Sequence, residues 1–191
     1  MDPSIQLSRS SSPKSIADTA HMKNIPYRAA VGSLMYLTIG TRPDIAFTVS
    51  TVAQFCQDPG LEHWEAVKCM YKYLLGTKKL ALTFGEGKQG LEGFTDADGA
   101  SQEHRHAISS YAYILDGGAV SWASKKQEFV TLSMTEAKYV AAMHDAKEGI
   151  WLRQLVEEVF CLLAHPMPLY SDSQSAIVLT KDGSYHTYET H

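Results

Sequence analysis

Long apolar runs are missing from this chain. None reaches the length a bilayer crossing needs, and no charged start followed by an apolar middle and small residues marks a secretion signal. The expectation is a protein that stays inside the cell, in cytoplasm or nucleus, with no membrane partner. Cysteine is scarce as well. Cys56, Cys69 and Cys161 are odd in number, far apart and set in helical patterns, which argues against a disulfide framework or zinc site and for buried or half-buried thiols. The eight histidines are scattered, with His104 and His106 flanking Arg105 in a polar stretch, and offer no ligand spacing. A basic footprint is also lacking. The net charge of −4 divides into +1 over residues 1–27, +2 over 28–90 and −7 over 91–191. An acidic second half excludes a simple electrostatic grip on nucleic acid unless carboxylates hold metal ions that meet the phosphates.

What the chain does have is one long stretch almost free of Gly and Pro. Residues 131–158 contain a single glycine, Gly149, and no proline. Ser133 followed three residues later by Glu136 is a capping box, so a helix is expected to start there and to organise everything after Gly90. Its apolar residues, among them Ala137, Tyr139, Val140, Met143, Ile150, Trp151 and Leu155, fall on nearly every side. That distribution predicts a helix packed on a sheet and on a second helix.

Taken in order, residues 1–22 are Ser-rich without apolar period and predict a disordered tail. From Pro26 to Gly76 the periodicity predicts three helices, with a restart at Pro43 and a turn at Asp58-Pro59-Gly60. Lys72, Lys78 and Lys79 cluster at the end of the third, either as a solvated helix terminus or as a phosphate-contacting patch. A strand over 80–84 and a polar linker over 85–90 close this small helical subdomain, residues 23–90. Strands are then expected over 91–95, 109–115 and 119–123, with Asp116-Gly117 as the hairpin turn between the last two. A short strand over 129–132 precedes the long helix. After it come a Pro-rich break, a strand over 169–171 and a helix over 175–180. Strand, helix, strand implies a parallel pair within a mixed sheet, so the fold class is α/β, with sites at the carboxyl ends of the strands.

Asp96 and Asp172 each stand where a short apolar strand meets a loop. Adjacent parallel strands would bring both carboxylates to one sheet edge, where two unpaired acids repel unless they hold divalent cations. Two Mg²⁺ ions so held clamp the attacking and leaving oxygens of a phosphodiester; capping a loop is the plainer role for such aspartates. Asp98, two residues past Asp96, is a further metal candidate.

The stretches YRAAVGSLMYLTIGTRPDIAFTVS, HWEAVKCMYKYLLGT, FTDADGAS, SYAYILDGGAVSWASKKQEFVTLS, TEAKYVAA, KEGIWLRQL and LYSDSQSAIVL occur in this order. Together they resemble the end of the reverse transcriptase and the ribonuclease H domain of copia-type LTR retrotransposon polyproteins, from about Met22 to the last residue. The resemblance implies thumb or connection helices over 27–84. From Leu91 it implies a ribonuclease H fold, a mixed five-stranded sheet with helices on both faces, here without its C-terminal strand and helix. It implies an ancestral activity of cutting the RNA strand of an RNA·DNA hybrid with Mg²⁺ or Mn²⁺ held by four acids.

Asp96 and Asp172 match the acids of the first and fourth strands. The family's helix motif reads TEAEYVA, and its metal-binding glutamate falls at Lys138 here. Glu136 is a poor substitute, two residues and about 200° away round the helix. The fourth acid belongs to a segment beyond SYHTYETH, the last stretch that matches. An ammonium at 138 would repel a dication and could neutralise both aspartates. Gly99 replaces a usual Trp and Ser173 a usual Asn. Trp122, Trp151 and Tyr139 match core positions, whereas Lys125 and Lys126 match a strand edge that either touches phosphate or discourages strand pairing. Two expectations follow: a ribonuclease H fragment with weak or lost activity, or a non-catalytic remnant that binds protein or nucleic acid. The uncovered sheet edge and apolar face imply self-association or a partner chain.

Overall fold

The computed structural model describes residues 7–85, 90–98, 106–160 and 166–181. Residues 86–89 of the expected 85–90 linker, residues 99–105 of the polar loop expected over 99–107, Cys161, the stop at Asp182-Gly183 and the SYHTYETH stretch lie outside the described residues, as do the first six residues of the tail. The chain divides into two compact units, Met1–Leu82 and Thr83–His191.

The first unit is helical: α1 (Ile16–Lys23), α2 (Tyr27–Gly40), α3 (Ala46–Ala53, preceded by a 3-10 turn at Pro43–Ile45) and α4 (Leu61–Gly76). Its core joins Tyr27, Val31 and Leu34 of α2 to Val49 and Val52 of α3 and to Val67 and Met70 of α4. Arg42, nearly buried, donates to Asp44 and Thr77 and so ties the α2–α3 turn to the end of α4.

The Ser-rich segment is not the unordered tail its composition suggests. A 3-10 turn at Arg9–Ser11 and α1 occupy it. Composition misled because hydrogen bonds substitute for apolar burial. Buried His63 accepts from the Gly60 amide at Nδ1 (2.8 Å), which leaves Nε2–H to donate to the Ser8 carbonyl (3.0 Å). Ser11 donates to Glu62, Ser12 donates to the Asp58 carbonyl, and Met22 is buried.

The second unit is a four-stranded mixed sheet flanked by helices, the α/β class consistent with a ribonuclease H-like fold. β1 (Leu91–Asp98), β2 (Ile108–Leu115), β3 (Gly118–Lys126) and β4 (Leu169–Ser171) lie in the order β3-β2-β1-β4. β1 pairs antiparallel with β2 and parallel with β4. The β2–β3 hairpin turns through Asp116 and Gly117, both at positive φ (51° and 85°), as a two-residue turn requires.

α5 (Met134–Phe160) crosses the sheet, and α6 (Gln174–Lys181) follows β4. Ala137 and Ala141 of α5 meet Ala97 of β1, and Leu152 meets Leu91 and Tyr113. Gly149, the one glycine of the long stretch, lies where Tyr113 and Met167 press on α5; a Cβ there would stand 2.6 Å from the Tyr113 oxygen. That hydroxyl donates to the Asp145 carbonyl at 2.5 Å.

Several expectations are corrected. Residues 80–84 and 129–132 form no strand, because neither segment finds a neighbouring strand to satisfy its backbone. Trp151, expected in the core, is 56% exposed, and Cys69 is exposed rather than half-buried. In each case helical spacing marks a face but cannot say whether anything covers it. Cys56 is partly buried, and that burial raises its thiol pKa.

Candidate functional site

Three side chains meet at the carboxyl end of the parallel pair. The β1–β4 register sets Thr95 opposite Ser171. Asp96, expected where its strand meets a loop, is instead inside β1, which continues to Asp98 against β2, while Asp172 is the first residue after β4; the parallel pairing still delivers both carboxylates to one edge. Asp96 Oδ1 also accepts from the Ala97 amide at 2.7 Å. Past Asp172, Ser173 turns the chain into α6, its hydroxyl accepting from the Ala176 amide. That capping job explains a serine at this position.

The third side chain is Lys138. Beside the Ala137–Ala97 contact, its stem lies along the edge of the core, and its side chain is only 15% exposed. Nζ reaches 2.5 Å from Asp172 Oδ1 and 3.1 Å from Asp96 Oδ1. The hydrogen bond to Asp172 chiefly raises the lysine pKa above its ordinary value, with burial opposing. Both carboxylates are about two-thirds exposed, so each ion pair contributes about 1 kcal/mol or less to stability. The chief consequence lies in occupancy. A cation already sits where the two acids converge, and a dication about 4 Å from it would be repelled by ~2 kcal/mol even at the dielectric of bulk water.

The other acids do not join. Glu136 belongs to the start of α5: its amide donates to Ser133 Oγ at 3.1 Å, and its carboxylate accepts from the Leu132 amide at 2.7 Å. The carboxylate therefore reaches one residue further back than the Ser133 amide a capping box would use. Asp98 ends β1 on the exposed side. Among the described residues no three His, Cys, Asp or Glu side chains converge on a point that could hold a metal ion. Two carboxylates bridged by an ammonium do not fit Mg²⁺, which demands near-octahedral oxygen ligation.

The lysines named as substrate contacts lie elsewhere. Lys125 and Lys126, at the end of β3, line a hollow of about 440 Å³ between that strand and α5. Lys72 and Lys78 are exposed on and just past α4 of the first unit.

Sequence reasoning missed one group in the second unit. Asp145 is buried under the sheet, where Thr95 Oγ1 donates to its Oδ2. Burial pushes its carboxyl up to about 6, with the Thr95 bond opposing. The signal available was a lone acid at an inward-facing helical position, four residues past Ala141.

Comparison with known proteins bears on this geometry. Over 188 residues the chain is 44% identical to the retrovirus-related Pol polyprotein from transposon TNT 1-94 of Nicotiana tabacum, covering 98% of this chain. It is 34% identical over 168 residues to the corresponding polyprotein from transposon RE2 of Arabidopsis thaliana. The chain is homologous to a segment of the retrovirus-related Pol polyproteins of transposons. It spans 14% and 11% of those two polyproteins, and is thus similar to one segment of Pol. A third relative is short: the secreted RxLR effector protein 161 of Plasmopara viticola, 46% identical over 133 residues that make up 94% of that protein and 69% of this chain. No family model and no solved structure matches the Pol-related chain. Among the described residues, no helix is long and apolar enough to cross a membrane.

Proposed function

We propose that this chain is the reverse transcriptase end and ribonuclease H segment of a retrotransposon Pol polyprotein, with its hybrid-cutting site closed by Lys138. One observation carries the reading: the Lys138 ammonium bridges Asp96 and Asp172 at the end of a parallel strand pair. In the ancestral reaction, acids at this edge would hold Mg²⁺ or Mn²⁺ against an RNA·DNA hybrid. Here the lysine supplies donors where a metal needs acceptors, and the protein neutralises its own carboxylates.

The test is cleavage of a labelled RNA·DNA hybrid with Mg²⁺ or Mn²⁺, beside metal-dependent melting. The wild type is expected to leave the hybrid intact and to melt at the same temperature with and without Mn²⁺. Lys138→Glu is expected to gain a Mn²⁺-dependent rise in melting temperature, because three carboxylates then surround the gap. Cleavage by the wild type that Asp96→Asn abolishes would overturn the proposal. A Lys138→Glu protein indifferent to Mn²⁺ would show that position 138 is not the family's metal-binding place.

A second reading is favoured by the Plasmopara viticola relative. Nearly its whole length matches this chain, and its name describes a secreted effector rather than a polyprotein. A free-standing binding protein on the same scaffold would need no metal, and Asp96→Asn would leave its binding unchanged.

A further inference from the structure

α5 turns one face to the sheet, and among the described residues the opposite one is exposed. Met143, Ile150 and Trp151 are exposed along it. Two charges stand on the same face, Lys147 and Glu158, also exposed. Charges on a helix surface commonly find a partner three or four residues away, as Arg153 does with Glu157 at 3.5 Å on the flank of this helix. Lys147 has Met143, His144, Ile150 and Trp151 at those offsets, and Glu158 has Gln154 and Leu155 towards the N-terminus. Neither is offered an opposite charge there. Eleven residues, about 16 Å of helix, separate the two, so they cannot meet within one chain.

We infer that this face is a self-recognition surface, on which α5 of a second copy packs antiparallel about a twofold axis near residues 152 and 153. The pattern is complementary only in that arrangement. Antiparallel pairing about this axis sets Lys147 against Glu158 of the other copy, and Glu158 against its Lys147. Trp151 lies beside Gln154 close to the axis. Parallel pairing would instead oppose lysine to lysine and glutamate to glutamate, which repels. An isologous contact satisfies both charges with one geometry and covers the same apolar residues on both chains. Aromatic side chains near the centre of such a patch carry much of the binding, and Trp151 holds that place. The inference is independent of whether Lys138 closes the metal site.

Sedimentation velocity of the full chain tests it. The wild type is expected to form a dimer, and no larger species, at concentrations up to about 100 μM. Lys147→Glu alone and Glu158→Lys alone should each weaken the dimer about tenfold or more, because each sets two like charges together twice. The double variant restores opposite charges in the same places and should regain wild-type association. Trp151→Asp should be monomeric with an unchanged circular dichroism spectrum. A wild type that stays monomeric, or that runs on to open-ended aggregates, would overturn the proposal. So would a double variant no tighter than the singles.

Discussion

At the scale of the residue, Asp145 makes the sharpest energetic statement. Its folded carboxyl titrates near 6, against an ordinary value of 3.8, because burial disfavours the charged form. A raised acid binds its proton more tightly in the folded state, so the second unit gains stability as pH falls through 6 towards 4 and is penalised above. Two pKa steps correspond to about 3 kcal/mol at most. Asp145→Asn keeps an acceptor for Thr95 without the charge. The variant is expected to unfold at higher urea than wild type at pH 7.5, by about 1–3 kcal/mol, with the difference shrinking as pH falls through 6 and vanishing only below the unfolded value of 3.8. A variant less stable than wild type at pH 7.5 would refute that account. Lys138 sits at the other extreme: both its carboxylate partners are about two-thirds exposed, so its ion pairs add little to folding.

At the scale of the element, α5 shows how packing overrides propensity. Gly149→Ala would improve intrinsic helix propensity by about 1 kcal/mol. Yet a Cβ at 149 would stand 2.4 Å from the Met167 methyl and 2.6 Å from the Tyr113 hydroxyl. Met167 can swing away, but Tyr113 is fully buried and bonded to the Asp145 carbonyl, and that burial pushes its phenol up to about 12. Crowding of this kind costs about 1–3 kcal/mol. The expectation is a net loss of stability in thermal melts, with the Tyr113→Phe, Gly149→Ala double variant recovering part of it. A stabilised single variant would show that the tyrosine yields freely.

At the scale of the whole molecule, the two compact units are expected to answer pH in opposite senses. In the first, burial lowers the pKa of His63, whose Nδ1 is needed as an acceptor. A depressed histidine means that the unfolded chain takes the proton first, so stability is lost as pH falls below about 6.5. The Asp44 carboxyl, held below its usual range by the Arg42 hydrogen bond, adds to that loss in stronger acid. The second unit moves the other way through Asp145. Variants retaining Trp64 alone or Trp122 alone report the units separately. Between pH 7.5 and 5 their urea midpoints should shift in opposite directions, and a common shift would count against both assignments.

Element identity was largely legible in the sequence, since periodicity and turn chemistry are local. Asp116-Gly117 announced its hairpin, Ser133 its helix start, and the strand, helix, strand order implied that Asp96 and Asp172 share one edge. The failures share a cause. Residues 80–84 and 129–132 look like strands, but a strand exists only where a neighbour accepts its hydrogen bonds. Ser8 to Ser12 read as tail because nothing local reveals that His63 and Glu62 stand ready to bind them.

The sequence by itself determined which residue occupies position 138 and that an aspartate follows each of two short apolar stretches, because chain order and side-chain chemistry need no partner to be defined. Only the tertiary structure decided that the ammonium reaches both carboxylates, that Glu136 is committed to the helix start, that Asp145 is dry, and that Trp151 is not. Each of those depends on which surfaces meet across many residues of chain, and burial and through-space distance are properties of that meeting rather than of any one stretch.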